Sequence, residues 1–265
     1  AVNRPHLYAI AILALIANAI AATVGATLSA LGPGAALADG LGLSWAFWLS
    51  SALCVRLALV SAPRPAERAD WMAAVACIVV AAVPVGPLSA VAATALGLWL
   101  MASGRFAPQL RASGMVLVAI AVHLLWGRLM MLFFAAPIAA VDARLVGLLT
   151  HTAVEGNTVR FLQTGHRLAI LQACTSVQNA SIALMMMIAI IRTFRPRPRT
   201  SEWLYVGGAF LIVVAINEVR LSLMARSIEM FELIHGPVGA TVINLIITCV
   251  GLAGAALAVR REILA

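Results

Sequence analysis

The chain has few charged residues and no lysine, and together these shortages exclude an ordinary soluble domain. Only 11% of its 265 residues are charged and 63% are hydrophobic, whereas soluble domains carry about 25% charged residues. Every basic residue is an arginine. Apolar runs of eighteen or more residues recur along the chain, and each is long enough to cross a bilayer as a helix. The sequence therefore predicts an all-α polytopic membrane protein.

The cysteines are also few, and they form no metal-type or CxxC spacing. They lie far apart, at Cys54, Cys77, Cys174 and Cys249. We therefore expect neither a disulfide framework nor a metal site, and no organic cofactor. The net charge of +8 would suggest nucleic acid in a soluble protein, but in a membrane protein the retention of arginine in cytoplasmic loops accounts for it. We expect membrane lipid around the chain and no nucleic-acid partner.

The distribution of arginine predicts about eight membrane-spanning helices with both termini in the cytoplasm. With this topology the predicted outer loops hold Arg144, Arg160 and Arg167, with Arg226 at the outer interface. The cytoplasmic side holds Arg4, Arg64, Arg68, Arg105, Arg111, Arg192, Arg195, Arg197, Arg199, Arg260 and Arg261. The predicted spans are residues 7–31, 43–61, 71–83, 88–103, 115–135, 174–191, 203–225 and 237–259. The expected location is therefore the cytoplasmic (inner) membrane, as a multi-pass protein.

Residues 136–173 interrupt this series of spans. Asp142 and Arg144 break the apolar run there, which predicts an interfacial segment over 137–151. Polar and apolar residues then alternate around Gln-Thr-Gly, which predicts a short extracytoplasmic β-hairpin before span 6. We expect a single transmembrane domain over 1–265, with five spans in 1–135, this segment, and three spans in 174–265.

Three chemically reactive residues fall at the outer ends of the last three spans: Cys174, Arg220 and His235. A thiol in the first turn of a helix lies at the positive end of the helix dipole, which stabilises the nucleophilic thiolate. An arginine inside a span usually faces the bundle interior, where it stabilises an oxyanion or binds a carboxylate. A histidine just before a helix is suited to general acid and base catalysis.

Four further residues are candidates for support of this site or for substrate binding. Asn217 lies one turn before Arg220 and is expected to orient it. Gln178 continues the helical face of Cys174, and Thr175 follows the cysteine directly. Arg226 is either an interfacial residue or a ligand for a substrate carboxylate.

Less specific roles remain open for the same residues. Arg220 pairs with Glu218 or Glu229 if its role is only to hold the bundle together. His151 and His166 lie near the same outer face and compete with His235 for the role of base.

Four segments resemble the exosortase/archaeosortase family: GNTVR at 156–160, LQACTS at 171–176, AINEVRLSLMA at 215–225 and HG at 235–236. The resemblance covers about residues 154–259. It implies a membrane cysteine transpeptidase with Cys174 as nucleophile and Arg220 and His235 as the other catalytic residues. Its substrates would be exported proteins that end in a short motif, an apolar helix and a basic tail. They would be processed on the extracytoplasmic face, often alongside exopolysaccharide production.

The chain departs from that family directly after the cysteine. The family usually has Ser-Gly at these two positions, and this chain has Thr175 and Ser176. The local backbone geometry and the substrate specificity are therefore open.

Two other functions are compatible with the sequence. A transporter or flippase would move an anionic substrate along Arg56, Arg128 and Arg220, and would tolerate the loss of Cys174. A non-catalytic scaffold for an envelope assembly would tolerate the loss of any of the three reactive residues.

Overall fold

The structure is a computed structural model of the chain, and it describes residues 2–103, 106–160, 165, 167–171 and 174–264. The chain divides into two compact units. The first comprises residues 1–125, 185–202 and 255–265, and the second comprises residues 126–184 and 203–254. This division differs from the three consecutive segments that we expected, because the ends of two late helices belong to the first unit.

Most of the chain is helical. The helices that precede the only sheet of the described residues are α1 (Arg4–Ala38), α2 (Trp45–Leu59), α3 (Arg68–Ala82), α4 (Gly86–Ala102), α5 (Pro108–Ala121) and α6 (Gly127–Thr150). A π-helical turn, Val122–Trp126, joins α5 to α6. The helices that follow the sheet are α7 (Ser176–Phe194), α8 (Glu202–Met224), α9 (Ile228–His235), α10 (Pro237–Ala258) and α11 (Arg260–Ile263).

Four helical stretches are long and apolar enough to cross a membrane: α1, the run Pro108–Thr150, α8, and Val238–Ala258 of α10. Three further apolar helices, α2, α4 and Asn179–Phe194 of α7, are shorter than eighteen residues. The all-α character and the membrane-type helices that the sequence predicted are therefore present. The number of spans, eight, stays a prediction, because length and composition identify only four helices that are long enough.

Residues 136–150 continue α6 without a break, although the sequence predicted a separate interfacial segment there. The expectation rested on the charges of Asp142 and Arg144. In the structure Asp142 is buried and accepts hydrogen bonds from Ser176, while Arg144 is exposed. A buried polar side chain that is hydrogen-bonded to a neighbouring helix is tolerated inside the helix that carries it. The helix ends instead at His151, whose φ of 53° is the left-handed conformation common at helix ends.

A small antiparallel sheet lies between α6 and α7 in the sequence. Its strands are β1 (Val154–Glu155), β2 (Thr158–Arg160) and β3 (Arg167–Ala169), in that order. Val159 pairs with Leu168, and both are buried while the adjacent strand residues are exposed or half-buried, the alternation of a half-covered strand. Residues 161–164 and 166 of the predicted hairpin lie outside the described residues.

In the first unit, buried charges of opposite sign meet where α1 and α3 begin. Arg4 donates from Nε to Asp70 Oδ2 at 2.8 Å and from Nη2 to Glu67 Oε1 at 2.6 Å. The Tyr8 hydroxyl donates to Asp70 Oδ1 at 2.8 Å, and the Glu67 amide donates to Oδ2 at 2.9 Å. The fully buried Asp70 carboxylate therefore has a cation and two further donors.

Two glycines allow α4 and α5 of the first unit to approach closely. A Cβ at Gly97 would lie 2.7 Å from the Gly114 carbonyl oxygen, and a Cβ at Gly114 would lie 2.7 Å from the Gly97 carbonyl oxygen. No side chain fits at either position without moving a backbone. Small residues at helix crossings are the usual solution in membranes, where packing rather than hydrophobic burial holds helices together.

The arginines at the end of α7 are paired within the first unit. Arg192 donates to Glu202, and Arg195 contacts Glu202 at 3.1 Å and Glu262 at 2.6 Å. Arg195 also donates to the Ala258 carbonyl oxygen at 3.1 Å. These side chains therefore join the ends of α7 and α10 to the start of α8, in addition to any role as a topology signal.

Candidate active site

Cys174 lies just before α7 rather than inside its first turn. It is half-buried, and its amide donates to the Leu171 carbonyl oxygen at 2.9 Å. Its carbonyl oxygen accepts a hydrogen bond from Asn217 Nδ2 of α8 at 3.0 Å. The first amide of α7, that of Ser176, donates to Asp142 Oδ2 at 3.3 Å. The sequence predicted that the positive end of this helix would stabilise a Cys174 thiolate. The Ser176 amide at that end donates instead to the Asp142 carboxyl group.

An apolar cluster of the second unit connects the surroundings of the three reactive residues. Its buried members include Leu221 and Met224 of α8, and Cys174 packs against it together with Phe231 and Ile234 of α9. Leu221 follows Arg220 in the chain, and Ile234 precedes His235. The elements that carry the three predicted catalytic residues therefore meet around one cluster.

Arg220 lies on the wall of a cavity of about 680 Å³ between α8, α9 and α10. Apart from Arg220, the side chains that line the cavity are apolar, and they include Leu233, Ile234 and Val242. The Nε atom of Arg220 is buried and has no hydrogen-bond partner among the described residues. A buried guanidinium nitrogen without a partner is costly in an apolar environment, so the Nε–H of Arg220 is a free donor among the described residues.

Asn217 does not orient Arg220 in the way that we expected. Its side chain is buried and bonded to the start of α7: Nδ2 reaches the Cys174 carbonyl oxygen and Ser176 Oγ at 3.3 Å, and Oδ1 accepts from Asn179 at 3.1 Å. Asn217 thus fixes the backbone that carries the cysteine. No ion pair between Arg220 and Glu218 or Glu229 occurs in the part of the chain that is described.

His235 is the last residue of α9, a helix of eight residues that the sequence analysis treated as a simple connection. Its ring is exposed and stacks on Phe231, with 5.0 Å between the ring centroids. The turn from α9 into α10 requires glycine, because a Cβ at Gly239 would lie 2.3 Å from the Ile234 carbonyl oxygen. This close approach of backbone therefore sets the turn that follows His235.

The remaining candidates differ in their surroundings. Thr175 is fully buried, and its hydroxyl donates to the Met131 sulfur at 3.9 Å, so it faces α6. Arg226 is exposed in the turn between α8 and α9. The side chain of Gln178 lies outside what the structure describes, as does His166. His151, the other competing base, is exposed at the end of α6.

Two carboxyl groups near Cys174 were missed as site residues by the sequence analysis. Asp142 of α6 and Glu218 of α8 are each 4% exposed, and both contact Ser176. Asp142 was assigned to an interfacial segment and Glu218 only to a possible pair with Arg220. Their position within apolar helices was the available signal, because an ionisable residue inside a span is a functional candidate by default.

Comparisons with known proteins assign neither a family nor a function to the chain. No family model, no curated protein and no solved structure matches the chain. The function is therefore inferred from the chemistry of these residues and from the motifs that carry the resemblance.

Proposed function

We propose that the chain is a membrane-embedded cysteine peptidase or transpeptidase of the exosortase type, acting on C-terminal sorting signals of exported proteins. The observation that supports it most is the unpaired Nε of Arg220 on the wall of an apolar cavity. A cation held without a counter-charge is suited to stabilise negative charge that develops only during a reaction. Cys174 and Ile234, which precedes His235, pack on the same apolar cluster, and we assign the role of nucleophile to Cys174 and that of base to His235.

In the proposed reaction, His235 accepts the Cys174 proton and the sulfur attacks the carbonyl carbon of the scissile peptide bond. Arg220 stabilises the oxyanion of the tetrahedral intermediate. The C–N bond then breaks, His235 protonates the leaving amine, and a thioester remains on Cys174. An amine or hydroxyl acceptor completes the transfer and water gives hydrolysis. The acceptor's proton passes through His235 back to the thiolate.

The substrate is proposed to be an exported protein with an apolar C-terminal helix and a basic tail. The cavity beside Arg220 is compatible with such a substrate, because its lining is apolar and its volume lies within the usual range for ligand sites, about 300–1,000 Å³. Asn217 donates to the Cys174 carbonyl oxygen, and the buried Thr175, next in the chain, contacts Met131 of α6. Arg226 and Gln178 are proposed to contribute to substrate binding.

The proposed setting is the cytoplasmic membrane, with eight spans, both termini inside and the site on the extracytoplasmic face. The arginine distribution is the basis for this orientation. A membrane-impermeant maleimide should label Cys174 in intact cells. Labelling that requires permeabilised cells would place the site on the opposite face.

The decisive experiment compares wild type with Cys174→Ala in the native host and follows exported proteins that end in an apolar span and a basic tail. Such proteins should keep their tails in Cys174→Ala, in Arg220→Ala and in His235→Ala. Cys249→Ala is the matched control, because Cys249 is exposed and remote in sequence from the motifs. Normal processing in Cys174→Ala would refute the cysteine mechanism.

The second candidate is a transporter or flippase for an anionic substrate. It is favoured by the same feature, since one arginine on an apolar cavity wall would also bind the head of an anionic amphiphile. The effect of Cys174→Ala distinguishes the two functions. A transporter loses activity with Arg220→Ala and keeps it with Cys174→Ala, whereas the peptidase loses activity with both.

A further inference from the structure

Two buried carboxyl groups meet at one hydroxyl group directly below Cys174. Ser176 Oγ lies 3.4 Å from Asp142 Oδ1 and donates to Glu218 Oε1 at 3.0 Å, and the Ser176 amide donates to Asp142 Oδ2 at 3.3 Å. Asp142 belongs to α6, Ser176 to α7 and Glu218 to α8. The contact therefore joins three helices at the residue where α7 begins.

The donors at this contact are too few for two ionised carboxylates. Among the described residues, only the amide and the hydroxyl of Ser176 donate to them, and the hydroxyl has a single proton. Glu218 Oε2 is buried and has no hydrogen-bond partner in the described part of the chain. Two anions would thus share two donors among four oxygens, although a buried carboxylate normally needs more.

No cation balances the pair within the described residues. Arg220 is two residues after Glu218, so it points about 200° around α8 and lines the cavity on the other side. Other polar groups nearby include the side-chain amides of Asn217 and Asn179 and the Cys174 carbonyl oxygen. Apart from Arg220 and the pair itself, the charged side chains and histidines that the structure describes in the second unit are exposed: Arg128, Arg144, His151, Glu155, Arg160, Arg167, Arg226, Glu229, Glu232 and His235.

We propose that Asp142 and Glu218 share a single proton, and that this proton-bridged pair is the positioning element for Cys174. One proton converts two repelling anions into a hydrogen-bonded acid and carboxylate, as in other carboxyl pairs that occupy one site. It also supplies the donor that the contact lacks. The pair then holds Ser176, and with it the start of α7.

The start of α7 is tied to Cys174 through Asn217. Asn217 Nδ2 donates to both the Cys174 carbonyl oxygen and Ser176 Oγ, at 3.0 and 3.3 Å. A shift of Ser176 therefore changes the support of the backbone that carries the thiol. Asp142 and Glu218 act on the cysteine through this connection and are positioning residues rather than catalytic ones. The part of the inference that concerns catalysis rests on the proposed function.

Infrared spectroscopy of the purified full-length protein tests the shared proton directly. Wild type at neutral pH should show the carbonyl band of a protonated carboxylic acid, and the band should disappear in both Asp142→Asn and Glu218→Gln. If Glu218 were protonated by burial alone, the band would persist in Asp142→Asn. Glu202→Gln is the matched control, because Glu202 is equally buried but paired with arginines, and it should leave the band unchanged.

Amide hydrogen exchange tests the positioning role. As the pH rises and the shared proton is lost, the protection of amides 176–180, corrected for intrinsic exchange, should fall roughly tenfold in wild type. That fall corresponds to about 1.4 kcal/mol in the opening equilibrium. In Glu218→Gln, whose amide side chain cannot ionise, protection should not change with pH.

Any of three results overturns the proposal: no acid band in wild type, an acid band that persists in Asp142→Asn, or the same dependence of protection on pH in wild type and Glu218→Gln. A purely structural role for Glu218 would change protection equally at every pH. Neither measurement uses a substrate, so the failure of this proposal is distinct from the failure of the cysteine mechanism, which shows only in tail processing.

Discussion

The two units differ in whether their buried charged groups have partners of opposite charge. In the first unit, Arg4 contacts Asp70, which has further donors from Tyr8 and the Glu67 amide. In the second unit, Asp142 and Glu218 have no cation among the described residues, and Arg220 has an unpaired Nε. The Nε of Arg220 and the two buried carboxyl groups thus remain apart, although Glu218 and Arg220 lie on the same helix.

The difference indicates which charges hold the structure and which are available for chemistry. A buried charge with all its partners is costly to disturb, because removal of one partner leaves the other unpaired. A buried charge without partners weakens the fold and is retained where it serves a function. By this criterion the paired charges of the first unit stabilise the fold, and the unpaired groups of the second unit are the candidates for a functional role.

The largest effect is expected when the pairing in the first unit is broken. Arg4→Gln should lower the free energy of unfolding by about 3–5 kcal/mol, because Asp70 then stays buried without its cation. Unfolding by detergent titration measures the loss. Arg64→Gln, at an exposed arginine, is the control and should have little effect. Adding Asp70→Asn to Arg4→Gln should restore much of the stability, and no recovery would contradict the charge argument.

A smaller effect of opposite sign is expected for the unpaired arginine in the second unit. Arg220→Met should raise the free energy of unfolding by about 1 kcal/mol, because it replaces an unsatisfied cation by an apolar side chain of similar length. The same unfolding assay applies, with Arg144→Met at an exposed position as control. Loss of stability on the scale of Arg4→Gln would show that Arg220 is structural.

The smallest effect is expected at the surface of the first unit. The hydrogen bond from Arg195 lowers the pKa of Glu262 below its usual value. The pair therefore contributes its stability above the unfolded-state pKa, about 4.3, and loses it as the pH falls through the lower folded-state value. Thermal unfolding of wild type and Glu262→Gln should differ slightly at pH 7 and converge in acid. A constant difference would contradict this pairing.

The sequence could predict the features that depend on local composition. Apolar runs identified the positions of the major helices, whereas the assignment of Cys174, Arg220 and His235 as catalytic residues stays a prediction. The helix α9 was missed, although Ser227 before an apolar run is a recognised start signal, and its hydroxyl does accept the Met230 amide at 3.2 Å. The eight residues of α9 were too few to stand out between two long apolar runs.

The sequence could not predict the contacts that join distant segments. The meeting of Asp142, Ser176 and Glu218 depends on how α6, α7 and α8 pack, and no periodicity encodes it. Asn217 was assigned to Arg220 because spacing along one helix is visible in a sequence. Its actual partner is the Cys174 carbonyl oxygen. This is a backbone atom of another segment, and residue types cannot reveal a contact with a backbone atom.

The close contact at Gly239 has a consequence for the recognition of related chains. Because the backbone of Ile234 occupies the space of a side chain at position 239, the turn that holds His235 depends on the glycine as much as on the histidine. A sequence pattern that represents this site is therefore His-Gly-Pro-x-Gly rather than a lone histidine. Chains that keep the histidine but replace the second glycine would have to present the imidazole differently.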